Sequence, residues 1–164
     1  MARSPQRLHC VGDILPESST LTNRYSLRIP QRLYDAMLAQ AVAELPNECC
    51  GLLAGQMEQG VGHVTLQLPL VNAVASPREF TADPTSLLAA DKAMRSAGVE
   101  MLAIYHSHPT SEAIPSKTDL ARNYHGDNMM NLIISLKSGQ PEVHAWWLTA
   151  TDYVPAEWKC DTEL

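Results

Sequence analysis

Apolar and polar residues first alternate at Tyr25, Leu27 and Ile29, the period-two pattern of a strand buried on one face. Pro30 then opens a helix whose apolar positions, Leu33, Met37, Leu38, Ala41, Val42 and Leu45, fall on one face until Pro46 stops it. Cys50 to Ala54 is an unbroken apolar run ended by Gly55, which predicts a buried strand. A turn at Glu58-Gln59-Gly60 leads to a second strand, Val61 to Leu68, completing a hairpin. Leu70 to Val74 predicts one more short strand, and Ser76 to Phe80 a loop. Asp83-Pro84 caps a helix through Ala97, closed by Gly98 where a left-handed residue is favoured. Beyond it, Met101 to Tyr105 predicts a central strand that delivers His106 at its end. Ser116 to Tyr124 predicts a helix, Leu132 to Leu136 a buried strand and Glu142 to Leu148 a final strand.

Helices and strands therefore alternate irregularly, which predicts an α/β fold of α+β-like character, a mixed sheet flanked by helices. Three segments are expected: a loose N-terminal arm over 1–23, rich in Ser, Thr, Pro and Arg; a single domain over 24–150; and a C-terminal tail over 151–164. The chain has 164 residues, enough to bury a core without disulfides, and no internal repeat. Its formal charge of −6 argues against nucleic acid as a partner, because phosphate contacts need a basic face. No apolar run approaches the ~20 residues that span a bilayer, so no membrane partner is expected. Asp13, Pro16 and Glu17 interrupt anything like a signal-peptide core, and a cytoplasmic address follows. Cys10, Cys49, Cys50 and Cys160 show no C-x-x-C spacing, and at least one of the adjacent pair is expected to be a small core residue.

The chemistry concentrates in His106-Ser107-His108-Pro109, followed by Ser116 and Asp119, with Glu48 far upstream. Two histidines separated by one residue on an extended segment project from the same face and can converge on one ion. Two imidazoles and a carboxylate fill three tetrahedral positions on zinc and leave the fourth for water, as in a catalytic site. Each piece also has a plain reading. His106 and His108 could be ordinary hydrogen-bonded histidines, Ser116-x-x-Asp119 a capping box, and Glu48 a solvated loop acid.

Taken together, Glu48, His106, His108, Ser116 and Asp119 resemble the motif of the JAMM (MPN-plus) metalloprotease family. In that motif a glutamate near the start of the domain precedes H-[ST]-H-P-x6-S-x2-D. Cys50-Gly51-Leu52-Leu53 after Glu48 is similar to the small prokaryotic members, and the resemblance runs from about Tyr25 to Thr149. It implies a curved mixed sheet with flanking helices, the JAB/MPN fold related to cytidine deaminases. It also implies one Zn2+ on His106, His108 and Asp119 with a bound water, whose pKa the ion would lower to roughly 7. Glu48 would carry the proton from that water to the departing amine, and Ser116 would donate to the oxyanion.

The substrate implied is the C-terminal Gly-Gly tail of a ubiquitin-like protein, here a sulfur carrier, cut by peptide or isopeptide hydrolysis. Such a tail would enter as an added strand, with the Arg78-to-Asp83 stretch and the Thr110-to-Ile114 loop as candidate walls. Homodimerisation is held open. The alternative is a non-catalytic or RadC-like member of the same fold serving as a binding scaffold. A zinc deaminase lacks support, since the paired-cysteine ligand motif is missing. A catalytic thiol at Cys49 or Cys50 has no paired base in the sequence.

Overall fold

The structure, a computed structural model, describes residues 24–162; the expected N-terminal arm over 1–23 lies outside the described residues. Chain order is β1 (Ser26–Pro30), α1 (Gln31–Ala43), β2 (Cys50–Glu58), β3 (Val61–Leu70), α2 (Pro84–Ala97), β4 (Glu100–His108), α3 (Lys117–Ala121), a 3-10 turn (Gly126–Asn128), β5 (Met130–Ser135), β6 (Glu142–Leu148), β7 (Tyr153–Pro155) and β8 (Trp158–Asp161). All eight strands join one sheet in the order β7-β6-β5-β4-β2-β3-β1-β8. It is mixed: β4 pairs parallel with β5, and β1 parallel with both β3 and β8, while the other pairs are antiparallel. The expected mixed sheet with flanking helices is what forms.

The apolar run in β2 follows from burial on both faces. Cys49 and Leu53 enter the core under α1, with Leu33, Met37 and Ala41. Cys50 and Leu52 face the other way, against Leu70 and Ala90, with Phe80, Met94 and Ile104 packed around them. Tyr105 needs the space beside Gly51, where an added Cβ would stand 2.2 Å from its ring. Behind β4 the Tyr105 hydroxyl joins Gln40 and Gln67, and Gln40 Nε2 donates 3.0 Å to the Cys50 carbonyl. This half-buried polar knot fastens α1 to the start of β2.

Several elements match the sequence reading closely. Asp83 caps α2 through a 2.9 Å bond from Ser86 N, Pro84 occupies the first turn, and Gly98 closes it at φ 66°. Gln59 and Gly60, both at positive φ (48° and 78°), make the tight turn of the β2–β3 hairpin. The differences have local causes. Helix α1 ends at Ala43, which leaves Leu45 beyond it and 46% exposed, and Val42 in its last turn, expected on the buried face, is 52% exposed. Leu70 ends β3, and the expected strand to Val74 becomes a loop held by an Asn72–Ala82 bridge. The helix expected from Ser116 to Tyr124 is one short turn, α3. Finally, the stretch set apart as a tail after 151 supplies β7 and β8, which pair with β6 and β1 at opposite edges of the sheet. Among the described residues no helix is long and apolar enough to cross a membrane.

Candidate metal centre

Strand pairing brings the upstream acid to the histidines. Cys50 lies opposite His106 in the antiparallel β2–β4 pair, and Ser107 N donates 3.1 Å to the Cys49 carbonyl. Cys49 N in turn donates 2.8 Å to the Ser107 hydroxyl. Continuing this register sets Glu48 against His108. Because directly opposed residues share a face, Glu48, His106 and His108 point to one side of the sheet. Cys49 and Ser107 point to the other.

Capping chemistry delivers the third candidate ligand. Ser116 is the N-cap of α3; its hydroxyl accepts from Asp119 N at 3.1 Å, and Asp119 Oδ2 accepts from Ser116 N at 2.7 Å. The reciprocal bonds fix the Asp119 rotamer. Its carboxylate then reaches His106 Nε2 at 3.2 Å through Oδ1 and His108 Nε2 at 3.4 Å through Oδ2. The two Nε2 atoms stand 3.1 Å apart. So the capping-box reading of Ser116 and Asp119 is correct, and the cap is also what aims the carboxylate.

These separations suit a metal. Ligands about 2.0–2.2 Å from a tetrahedral zinc stand roughly 3.3–3.6 Å from one another. His108 Nδ1 lies 2.7 Å from the Glu112 carbonyl, which only accepts, so Nδ1 carries a proton and Nε2 is the nitrogen turned inward toward His106 and Asp119. Ligand atoms of His106, His108 and Asp119 all fall within 4.8 Å of one another. Glu48, only 4% exposed, holds its Oε2 buried without a hydrogen-bond partner among the described residues. An orphaned carboxylate oxygen beside such a cluster fits a water or a substrate proton better than it fits a finished core.

Electrostatics agrees. Burial pushes the Glu48 carboxyl up to about 7, His108 draws it back, and Asp119 and Glu79 push it further up. Burial would also raise Asp119, but hydrogen bonds from His106 and His108 outweigh it and hold the carboxyl well below the usual range. For His108, burial disfavours the cation, yet the bonds to Asp119 and the Glu112 carbonyl prevail and raise it. Cys49 and Cys50 are fully buried free thiols pushed by burial up to about 12, which removes both as nucleophiles near neutrality.

A cleft of about 480 Å³ opens beside the cluster, floored by Leu52 and Ile104. Glu79 to Ala82, within the Arg78-to-Asp83 stretch, line one part of it. Arg122 to His125, just past α3, line another. Arg122 and Glu79 link the two parts through a 2.9 Å ion pair. Sequence reasoning missed the supports of the site. Asn72 Nδ2 donates to the carbonyls of Glu48 (3.0 Å) and Glu79 (3.1 Å), tying acid to wall, and the Phe80 ring stacks on His106 at 4.8 Å. A lone loop asparagine and a single phenylalanine carry no spacing that would have singled them out.

The family described as prokaryotic homologs of the JAB domain matches residues 30–149. A probable TtuB-protein conjugate cleaving protease from Thermus thermophilus is 41% identical over 95 residues, 57% of this chain and 61% of that one. The CysO-cysteine peptidase of Mycobacterium tuberculosis is 38% identical over 96 residues, 58% of this chain and 64% of that one. The chain thus spans less than two thirds of the length of these two relatives. A solution structure from Desulfitobacterium hafniense superposes with a TM-score of 0.76 at 34% identity, over 84% of this chain and 94% of that one.

Proposed function

This chain belongs to the prokaryotic homologs of the JAB domain, and on that premise we propose that it is a metal-dependent peptidase or isopeptidase. Its substrate would be an amide bond following the Gly-Gly tail of a ubiquitin-like, sulfur-carrier type of protein. One observation carries the reading: His106 Nε2, His108 Nε2 and the Asp119 carboxylate converge at 3.1–3.4 Å on the same side of the sheet as the buried, unpartnered Glu48 Oε2. A scaffold without catalysis has no use for that costly arrangement. The relatives named for carrier-conjugate and carrier-cysteine cleavage support the substrate class.

His106, His108 and Asp119 would hold the ion, and zinc suits two imidazoles and a carboxylate. When bound, zinc supplies a Lewis acid for the scissile carbonyl and a water acidified to a pKa of roughly 7. Glu48 takes the proton of the attacking water as its oxygen bonds to the carbonyl carbon. As the C–N bond breaks, Glu48 returns that proton to the leaving amine. Its Oε2 is free for this because no group among the described residues engages it. The Ser116 hydroxyl uses a lone pair to accept from Asp119 N, which leaves its proton available to the oxyanion. His108 and Asp119 are fixed beforehand by the Glu112 carbonyl and the cap, so little reorganisation is needed.

The test is hydrolysis of a purified carrier-cysteine adduct, followed by mass spectrometry before and after chelation. Cleavage that stops with chelator and returns with zinc is expected. Turnover that survives exhaustive chelation, or a zinc-loaded protein inert toward every diglycine-tailed conjugate, defeats the reading.

A further inference from the structure

Three consecutive backbone carbonyls in the loop after β4 each accept one side-chain hydrogen bond. Ser135 Oγ donates to the Ser111 carbonyl at 2.6 Å, His108 Nδ1 to the Glu112 carbonyl at 2.7 Å, and Trp146 Nε1 to the Ala113 carbonyl at 2.8 Å. The middle bond orients a candidate metal ligand; the outer two flank it and come from separate strands, β5 and β6. We propose that Ser135 and Trp146 are positioning residues of the metal centre, clamping the loop so that the Glu112 carbonyl dictates the tautomer and angle of the His108 ring. This rests on the metal reading above.

The surroundings favour a clamp over incidental bonding. Leu136 N donates 3.0 Å to the His108 carbonyl, and Lys137 N donates 3.3 Å to Ser135 Oγ, so the end of β5 grips the loop at both its root and its middle. Pro109, Ala113 and Pro115 are buried although the loop lies at the sheet margin. Trp146 is itself braced: the Tyr153 ring of β7 meets it edge-on at 5.1 Å. The strand at one edge of the sheet thereby acts on the site through one indole. Partners that orient metal-bound histidines from outside typically govern affinity by 10–100-fold. Ser135 and Trp146 act through one further bond, which puts the expected effect near the lower end of that range.

The experiment compares Trp146→Phe, Ser135→Ala and Ser135→Thr with the parent protein by two readouts. Zinc affinity is measured by competition with a chromogenic chelator. The His108 tautomer is read from imidazole 15N shifts of metal-free protein at alkaline pH, where the ring is neutral. Trp146→Phe and Ser135→Ala are each expected to bind zinc about tenfold more weakly and to shift His108 from the Nδ1–H form toward a mixture, while Ser135→Thr stays close to the parent. An unchanged tautomer in both weakening variants overturns the proposal, whether or not affinity falls, because a general loosening would lower affinity without touching the ring. A parent protein that binds no zinc refutes the metal reading instead, and the metal-free spectra still decide the clamp.

Discussion

Removing the Ser116 hydroxyl separates two jobs on one atom, the cap that the structure shows and the oxyanion donation proposed above. As N-cap, the hydroxyl accepts from Asp119 N at 3.1 Å, and losing such a cap costs about 1 kcal/mol of stability. For a domain of this size that is roughly 2–4 °C in Tm. As oxyanion donor it is worth far more in rate, about 10²–10³-fold, or roughly 2.7–4 kcal/mol of barrier. The cap alone cannot produce that loss, because Asp119 Oδ2 still accepts from Ser116 N, a backbone bond that the substitution leaves in place. Ser116→Ala is therefore expected to melt a few degrees lower, keep near-stoichiometric zinc and lose at least a hundredfold in kcat with little change in KM. Ser116→Thr keeps both the cap and the hydroxyl and should recover most of the rate. The assays are thermal unfolding, metal analysis and steady-state hydrolysis of one diglycine-tailed conjugate. Full activity in Ser116→Ala would reduce the residue to a cap, and loss of zinc would mean that its effect runs through Asp119.

Other expectations follow from the same geometry. Glu48→Gln should bind zinc like the parent while losing about 10²–10⁴ in kcat, measured by metal analysis and turnover on the same preparation. Asp119→Asn and His108→Ala should lose zinc and activity together, and a fully loaded, active Asp119→Asn protein would contradict the ligand set. In metal-free protein the Glu48 carboxyl sits at about 7 against an ordinary value of 4.5. The folded state therefore holds that proton more tightly, and stability falls as pH rises from about 4.5 through 7, by about 3 kcal/mol if the shift is fully expressed. Glu48→Gln should flatten this part of the stability–pH curve and melt higher than the parent at pH 8; matching curves would mean that the carboxyl is not held in a desolvated site. Tyr105→Phe removes the hydroxyl's bonds with Gln40 and Gln67, which keep their own bond at 3.3 Å, and should cost about 1 kcal/mol in denaturant unfolding while zinc content stays intact.

Where local chemistry decides structure, the sequence could be read directly. Asp83-Pro84 and Gly98 bracket α2 because capping and left-handed residues act within one turn, and Gln59-Gly60 closes its hairpin for the same reason. His106 and His108 could be paired because the two-residue repeat of a strand is local. Long-range partners were not legible. Trp158–Asp161 joins β1 by parallel pairing across more than a hundred residues, and nothing in four residues of mixed polarity announces it. Val42 and Leu45 continue the apolar stripe in sequence, yet Val42 in the last turn of α1 is half-exposed and Leu45 lies past the helix end at Ala43. For the site, the Glu48 register against β4 follows from strand order, which the chain alone does not disclose. The supports Asn72, Ser135 and Trp146 act through backbone carbonyls, a contact type that leaves no motif.

The most direct measurement is a crystal structure of zinc-soaked protein with an anomalous difference map at the zinc edge. The account predicts one strong peak about 2.0–2.2 Å from His106 Nε2, His108 Nε2 and an Asp119 oxygen, with Glu48 facing the remaining position but outside bonding distance. A peak on Cys49 or Cys50, direct ligation by Glu48, or no peak at these three side chains would contradict it.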